Sequence, residues 1–105
     1  MSATYPLSLI KKLIDSGCYT VTETAATTAK LELGLNFQQI IENVKALKAG
    51  EFYKTMQSEK KAGLWQDVYR QKLTINKKQV LAYVKLQVTE LPSGQRAVII
   101  SYKLL

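Results

Sequence analysis

The spacing of the apolar residues changes near Gly50, and this change constrains the fold more than any other feature of the chain. Before Gly50 the apolar residues recur every three or four positions, which is typical of amphipathic helices. After Gly50 apolar and polar residues alternate, which is typical of strands with one buried side. Helices followed by consecutive strands predict an α+β fold, in which the helices pack on one face of an antiparallel sheet.

Two helices are predicted in the first third of the chain. The first has an apolar stripe in residues 9–14 and ends at Gly17. The second covers the Ala- and Thr-rich residues 22–33 and ends at Gly34. Glycine suits both ends because it adopts the left-handed conformation that terminates many helices.

A third helix is predicted over residues 37–47 and has the clearest period. Asn36 and Gln39 have the spacing of a capping box at its start. Lys45 and Lys48 lie near its end, where the helix dipole favours cations. The predicted buried stripe of this helix is Phe37, Ile40, Ile41, Val44 and Leu47.

About four strands are predicted after Gly50, at residues 52–58, 64–74, 79–89 and 96–104. The turns between them are predicted at Gly63, residues 76–78 and residues 92–94. No linker or internal repeat interrupts the sequence. We therefore expect one domain over residues 1–105, helical in 1–50 and sheet in 51–105.

Strand alternation predicts which side chains lie on the side of the sheet that the helices leave uncovered. These are Gln66, Arg70, Tyr83, Lys85 and Lys103, joined by Lys54 if its strand turns the even-numbered residues outward. In the last strand, Val98, Ile100, Tyr102 and Leu104 are expected to share the covered side. Asp67 is expected there too, beside Trp65, and a carboxylate in that position needs a hydrogen-bonding partner or a bulge.

The positive charge of the chain is concentrated in the predicted sheet. The net charge is +7 and the isoelectric point is near 9.6. Residues 51–105 hold ten Lys or Arg and four acids, whereas residues 1–50 hold five Lys and four acids. The sheet is therefore expected to contact a polyanion.

Several catalytic chemistries are excluded by composition. The chain has no histidine and a single cysteine, Cys18, so histidine acid–base pairs, Cys-His nucleophiles and zinc sites are not available. No clustered carboxylates suggest Mg²⁺, and no glycine-rich phosphate loop is present. We expect no metal and no other cofactor. A lone cysteine also forms no internal disulfide, which is typical of a reducing compartment.

RNA cleavage is compatible with the residues that remain. Residues 52–70 place the cations Lys54 and Arg70 among the rings of Tyr53, Trp65 and Tyr69. Cations among aromatic rings suit a phosphate backbone that carries stackable bases. The 2′-hydroxyl of RNA is a built-in nucleophile, so cleavage needs alignment, charge stabilisation and proton transfer rather than an added nucleophile.

The motifs FYKTM at residues 52–56 and WQDVYR at residues 65–70 resemble those of the motility quorum-sensing regulator (MqsR) toxins. Further similar segments are LGLNF at 33–37, YVKL at 83–86 and ISYK at 100–103, so the resemblance covers most of the chain. These toxins are small bacterial mRNA endoribonucleases of the RelE-like class, encoded beside an antitoxin. The resemblance thus implies a RelE-like fold and sequence-selective, metal-independent RNA cleavage that inhibits translation and growth.

The resemblance implies that Lys54, Gln66, Tyr83 and Lys103 act in RNA cleavage. We expect Lys54 and Tyr83 to transfer protons, Lys103 to stabilise charge and Gln66 to position the substrate. From its place on the uncovered side we add Arg70 as a phosphate contact. Further RNA-binding residues are expected at Tyr53, Lys85, Lys77 and Lys78.

The resemblance also implies a cognate antitoxin with a zinc-binding domain and a helix-turn-helix domain. DNA would then be contacted only through the antitoxin. The family preference is for GC-containing triplets such as GCU. The loops at residues 76–78 and 91–94 look longer than in the family, and the chain lacks the charged tail, so the triplet accepted by this chain is left open.

Two other functions share the charge asymmetry. The chain could bind RNA and repress translation without cutting it, or it could bind an acidic protein through its cationic side. Aromatic residues such as Trp65 and Tyr69 are more often packing residues than platforms for bases, and single surface lysines are common. No apolar run approaches the ~20 residues that span a bilayer, and the N-terminus does not resemble a secretory signal. We therefore expect a cytoplasmic protein without membrane contact.

Overall fold

The change of period at Gly50 corresponds to a change from helices to strands in the computed structural model, which describes residues 2–105. The helices are α1 (Leu7–Asp15), α2 (Glu23–Thr28), a π-helical continuation (Ala29–Leu33), α3 (Phe37–Lys45) and a 3₁₀ turn (Ala49–Glu51). The strands are β1 (Tyr19–Val21), β2 (Phe52–Gln57), β3 (Trp65–Ile75), β4 (Lys78–Leu91) and β5 (Gly94–Leu104). The predicted α+β class is confirmed.

The five strands form one sheet in the order β1-β5-β4-β3-β2. All neighbouring pairs are antiparallel except β1 and β5, which are parallel. The strand β1 was not predicted. It has three residues, too few to show alternation, and it pairs with a strand almost eighty positions away (Tyr19 with Ala97).

Local signals at the helix ends are confirmed. The side chain of Asn36 accepts a hydrogen bond from the Gln39 N–H at 2.8 Å, and the side chain of Gln39 accepts one from the Asn36 N–H at 2.9 Å. This is the predicted capping box. Gly17 and Gly34 have positive φ angles of 76° and 67°, as expected for left-handed helix ends.

The hydrophobic core lies between the helices and one side of the sheet. Its members include Ile10 and Ile14 from α1, Ile40, Ile41 and Val44 from α3, and Ala82, Val84, Leu86 and Val88 from β4. The prediction that Phe37 shares this core is wrong, because its side chain is 50% exposed. Phe37 is the first residue of α3 and packs at the sheet margin against Tyr19, with 6.1 Å between ring centroids.

The last strand contains a bulge that the alternation did not predict. Lys85 in β4 is opposite Ser101, but the next residue, Leu86, is opposite Ile99, so Ile100 is an extra residue. Consequently Ile99 and Tyr102 both point into the core. The predicted placement of Val98 and Ile100 on the covered side is therefore wrong, whereas Tyr102 is placed there as predicted.

The buried carboxylate of Asp67 has the partners that the sequence required. Its two oxygens accept hydrogen bonds from the backbone N–H groups of Thr4 at 3.0 Å and Tyr5 at 2.8 Å. Tyr5 also donates its hydroxyl to the Trp65 carbonyl at 2.7 Å. The segment before α1 is thus hydrogen-bonded to β3 beside the core.

Candidate functional site

The open face, defined as the side of the sheet opposite the helices, carries three rows of side chains that cross neighbouring strands. The first row is Lys54, Val68, Lys85 and Ser101. The second is Arg70, Tyr83 and Lys103. The third is Met56, Gln66, Gln87 and Val98. All four residues that the resemblance implies for RNA cleavage therefore lie on the same side of the sheet.

Tyr83 is at the centre of the second row and is surrounded by cations. The ammonium of Lys103 lies 5.0 Å from the centre of the Tyr83 ring and that of Lys85 lies 5.8 Å from it. Arg70 is the residue directly opposite Tyr83 on β3. Both ammonium groups are within the range of cation–π attraction, so the phenol is held among positive charges.

A second cluster forms where β2 begins, because the register between β2 and β3 shifts between Phe52 and Lys54. This bulge lets Phe52 pack edge-on against Tyr69 on the helix side at 5.6 Å, while Lys54 still lies on the open face. The extra residue, Tyr53, is stacked by the Arg70 guanidinium at 3.6 Å and approached by the Lys54 ammonium at 5.5 Å.

Val68 joins the two clusters, and sequence reasoning did not single it out. It lies opposite Lys54 on one side and Lys85 on the other, and it is 0% exposed although it does not belong to the helix-side core. Two strand spacings separate the backbones of Lys54 and Lys85 by about 10 Å. The complete burial of Val68 shows that neighbouring side chains cover it. Because neighbouring strand residues point to opposite sides of the sheet, a sequence that places Tyr69 on the helix side also places Val68 on the open face.

A cleft of about 480 Å³ opens on the same face beside the rows. It is lined by Gln66, Lys85 and Gln87, by residues 58–61 and Leu64, by Thr22 and Thr24 at the start of α2, and by Ile100 and Ser101 at the β5 bulge. Gln66 and Gln87 are 7% and 8% exposed, which is unusual for polar residues. Strand alternation puts Gln87 on the same face as Tyr83 and Lys85, but the sequence did not single it out.

A larger cleft of about 650 Å³ lies at the margin of β3 and is lined at one end by Tyr53 and Arg70. Its other walls come from α3, the 3₁₀ turn and Leu81, and it contains none of the four residues that the resemblance implies for cleavage. The smaller cleft contains one of them, Gln66. We therefore take the smaller cleft and the three rows of side chains beside it as the candidate functional site.

The phenols on the two sides of the sheet differ in their surroundings. Burial, together with the nearby carboxylate of Asp67, raises the pKa of Tyr69 to about 12. Burial also raises the pKa of Tyr102, whose hydroxyl donates to Gln71 at 2.6 Å. These two phenols are structural. Tyr83, half-buried among cations, is the tyrosine that can meet a substrate on the open face.

The structure does not bring Lys77 and Lys78 to these clusters. Asn76 and Lys77 form the β3–β4 turn with positive φ angles of 52° and 67°. Lys78 is opposite Ile75, five residues along β4 from Tyr83, which corresponds to about 17 Å. These lysines are exposed at the hairpin tip, where they would attract a polyanion only at long range.

A sequence model described as "Motility quorum-sensing regulator, toxin of MqsA" matches residues 2–104. The "mRNA interferase toxin MqsR" of Escherichia coli (strain K12) is 35% identical over 82 residues, which are 78% of this chain and 79% of that protein. This chain belongs to the MqsR toxin family. Because the match includes the N-terminal helices, the resemblance seen in the motifs of β2 and β3 is confirmed over nearly the whole chain.

Membership of the MqsR family agrees with the position of the clusters. The segments FYKTM and WQDVYR lie on β2 and β3, the two strands that supply Lys54, Gln66 and Arg70. Among residues 2–105, no helix has the length and apolar character needed to cross a membrane.

Proposed function

We propose that this chain is the toxin of a toxin–antitoxin pair and cleaves mRNA endonucleolytically, thereby inhibiting translation and growth in the cytoplasm. The E. coli relative is named an mRNA interferase toxin. The observation that carries the proposal is the row of Arg70, Tyr83 and Lys103, with both Lys85 and Lys103 close to the phenol ring. A phenol among cations on an open sheet suits a phosphodiester that gains negative charge as it reacts.

The proposed reaction is an in-line displacement on phosphorus. The 2′-oxygen forms a bond to the adjacent phosphorus, and the bond from phosphorus to the 5′-oxygen of the next nucleotide breaks. The 2′-hydroxyl proton leaves to a base and the departing 5′-oxygen receives a proton, so the products are a 2′,3′-cyclic phosphate and a 5′-hydroxyl end. No metal is needed because the chain supplies cations at the reacting phosphate.

The residues of the open face divide these tasks. Lys54, which is separated from Lys85 by Val68, and Tyr83, which is two residues from Lys85 on β4, exchange protons with the two oxygens. Lys103 and Arg70 stabilise the charge on the phosphate, and each well-placed donor is worth about 3 kcal/mol in the transition state. Gln66 positions the substrate from the adjoining cleft.

The family description names the protein that its toxins are paired with, MqsA. We propose a cognate antitoxin for this chain as well, with a zinc-binding domain and a helix-turn-helix domain. Contact with DNA would then occur only through the antitoxin. Co-expression with the neighbouring small reading frame should restore growth to cells that express this chain.

The direct test is digestion of a purified RNA by the purified protein in EDTA, with the fragment ends mapped. Discrete fragments with cyclic phosphate ends are expected. Lys54→Ala and Tyr83→Phe should each lose at least 100-fold in rate, in line with the usual contribution of a general acid or base, about 10²–10⁴. Lys12→Ala, an exposed change on α1, is the matched control. Uncut RNA that is nevertheless bound would favour a non-catalytic translational repressor instead.

A further inference from the structure

Gln66 and Gln87, which line the 480 Å³ cleft, form a hydrogen-bonded relay with Thr89. The Gln66 Nε2 donates to Gln87 Oε1 at 2.9 Å, and Gln87 Nε2 donates to Thr89 Oγ1 at 2.8 Å. The relay joins β3 to β4 on the open face, and both glutamine residues are more than nine-tenths buried. Such a relay couples the two amide groups, because turning one of them alone places like groups against each other.

The relay leaves one strong acceptor of Gln66 unused. Within residues 2–105 the Gln66 Oε1 makes no hydrogen bond, whereas no fully buried side-chain nitrogen or oxygen there is without a partner. The Gln66 Oε1 therefore keeps some contact with solvent, and Gln66 lines the cleft. An unused acceptor on a side chain that lines a cleft and is held by a relay is suited to recognising an N–H donor.

The cleft is also connected to the phosphate-binding rows. Lys85 lines it and at the same time lies 5.8 Å from the Tyr83 ring. A nucleotide whose phosphate lies beside Lys85 and Tyr83 thus has the cleft next to it. The volume of about 480 Å³ is within the range of small-molecule sites and suits a planar base.

We propose that this cleft takes the nucleobase beside the cleaved phosphate, and that Gln87 is a positioning residue that makes Gln66 present its Oε1 to an exocyclic amino group. Adenine, cytosine and guanine carry such a group, whereas uracil has a carbonyl oxygen at the position where cytosine has its amino group. The proposal rests on the proposed RNA cleavage and names the part of the chain that selects the sequence. A site that presents an acceptor rejects a base that turns a second acceptor toward it, because the two oxygens repel each other and neither is paired.

The test compares Gln87→Met, which keeps the shape but removes the amide group, with Gln87→Glu, which keeps an acceptor for Gln66. Each variant digests an RNA pool with random bases, and sequencing of the fragment ends gives the base preference at each position. In parallel, each variant selects from the same pool made with 2′-O-methyl RNA, which is bound but not cut. Gln79→Met, an exposed change on the same strand, is the control, and thermal unfolding checks that the variants fold.

The wild type should discriminate against uracil at one position next to the cut by about 10-fold or more. Gln87→Met should reduce this ratio to about 2-fold in both cleavage and binding, while Gln87→Glu and Gln79→Met retain it. An equal slowing of all sequences by Gln87→Met would show that Gln87 only supports the fold, and it would overturn the proposal. So would a wild type without discrimination against uracil in either pool.

The two readouts separate this proposal from the proposed function. A wild type that leaves the cleavable pool intact contradicts RNA cleavage, but the 2′-O-methyl pool still reports base preference. If Gln87→Met loses the base preference in the 2′-O-methyl pool, the result supports a base-selecting cleft on a protein that only binds RNA. If Gln87→Met keeps the base preference in that pool, the proposed base cleft is rejected.

Discussion

The Arg70 guanidinium lies 3.6 Å from the centre of the Tyr53 ring, and Arg70 is directly opposite Tyr83 on the neighbouring strand. The contact joins a residue of β3 to the bulge at the start of β2. It immobilises a long side chain that would otherwise lose conformational entropy when RNA binds. Arg70 is thus prepared to bind a phosphate before the substrate arrives.

Arg70→Ala should weaken RNA binding at low salt and reduce the slope of log K against log salt by about 1, because one phosphate contact is lost. Arg70→Lys should keep the slope but lose affinity, since an ammonium does not stack flat on Tyr53. Fluorescence anisotropy with 2′-O-methyl RNA measures both quantities. An unchanged slope in Arg70→Ala would show that Arg70 does not contact phosphate.

Val68→Ala should affect both stability and cleavage. The side chain is 0% exposed, so removing two methyl groups should cost about 2 kcal/mol of unfolding free energy. The loss of support beneath Lys54 and Lys85 should also slow RNA cleavage under conditions where the variant is fully folded. Urea unfolding and single-turnover cleavage provide the two measurements. Val98→Ala is the matched control, because Val98 also lies on this face but away from both lysines.

Asp67→Asn should destabilise the fold by about 2 kcal/mol, since the carboxylate is 1% exposed and accepts two backbone hydrogen bonds. The side-chain NH₂ group of asparagine would face one of those backbone N–H groups, so two donors would meet where a carboxylate oxygen now accepts. Amide hydrogen exchange at Thr4 and Tyr5 should increase in parallel. Asp15→Asn is the control, because its carboxylate pairs with Lys45 at 2.7 Å on an exposed surface, where an ion pair contributes at most about 1 kcal/mol. Equal losses in both variants would contradict this assignment.

Stability should fall as the pH rises above 10. The pKa of Tyr69 is raised from 10.0 to about 12 by burial and by Asp67, so the unfolded chain loses this proton first. The neutral phenol therefore stabilises the fold fully below pH 10, and about 3 kcal/mol is lost as the pH rises from 10 to 12. Tyr102 contributes in the same direction. Urea unfolding across this range should show a shallower decline for Tyr69→Phe, and identical declines would reject the assignment.

Features that depend on neighbouring residues in the sequence were predictable. The capping box of Asn36 and Gln39 needs residues three positions apart, and the long alternating runs identified β3 and β4. The same alternation placed Gln66, Tyr83 and Lys103 on one face, because side-chain direction in a strand follows from counting. The roles of these residues in cleavage stay predictions.

Features that depend on distant partners were not predictable. The strand β1 exists because Tyr19–Val21 meets the margin of β5, and the extra residues at Tyr53 and Ile100 follow from strand pairing rather than composition. The relay from Gln66 to Thr89 needs two strands in a particular register. The partners of Asp67 lie more than sixty positions away, so the sequence could only indicate that it needed some.

The bulge at Ile100 gives the two halves of β5 opposite phases. If Ile100 took part in regular pairing while Ile99 stayed in the core, strict alternation would turn Tyr102 outward and Lys103 toward the helices. Because Ile100 is left out of the pairing, Tyr102 stays in the core and Lys103 lies beside Tyr83 on the open face. The bulge therefore decides which side of the sheet each residue after Ile100 occupies.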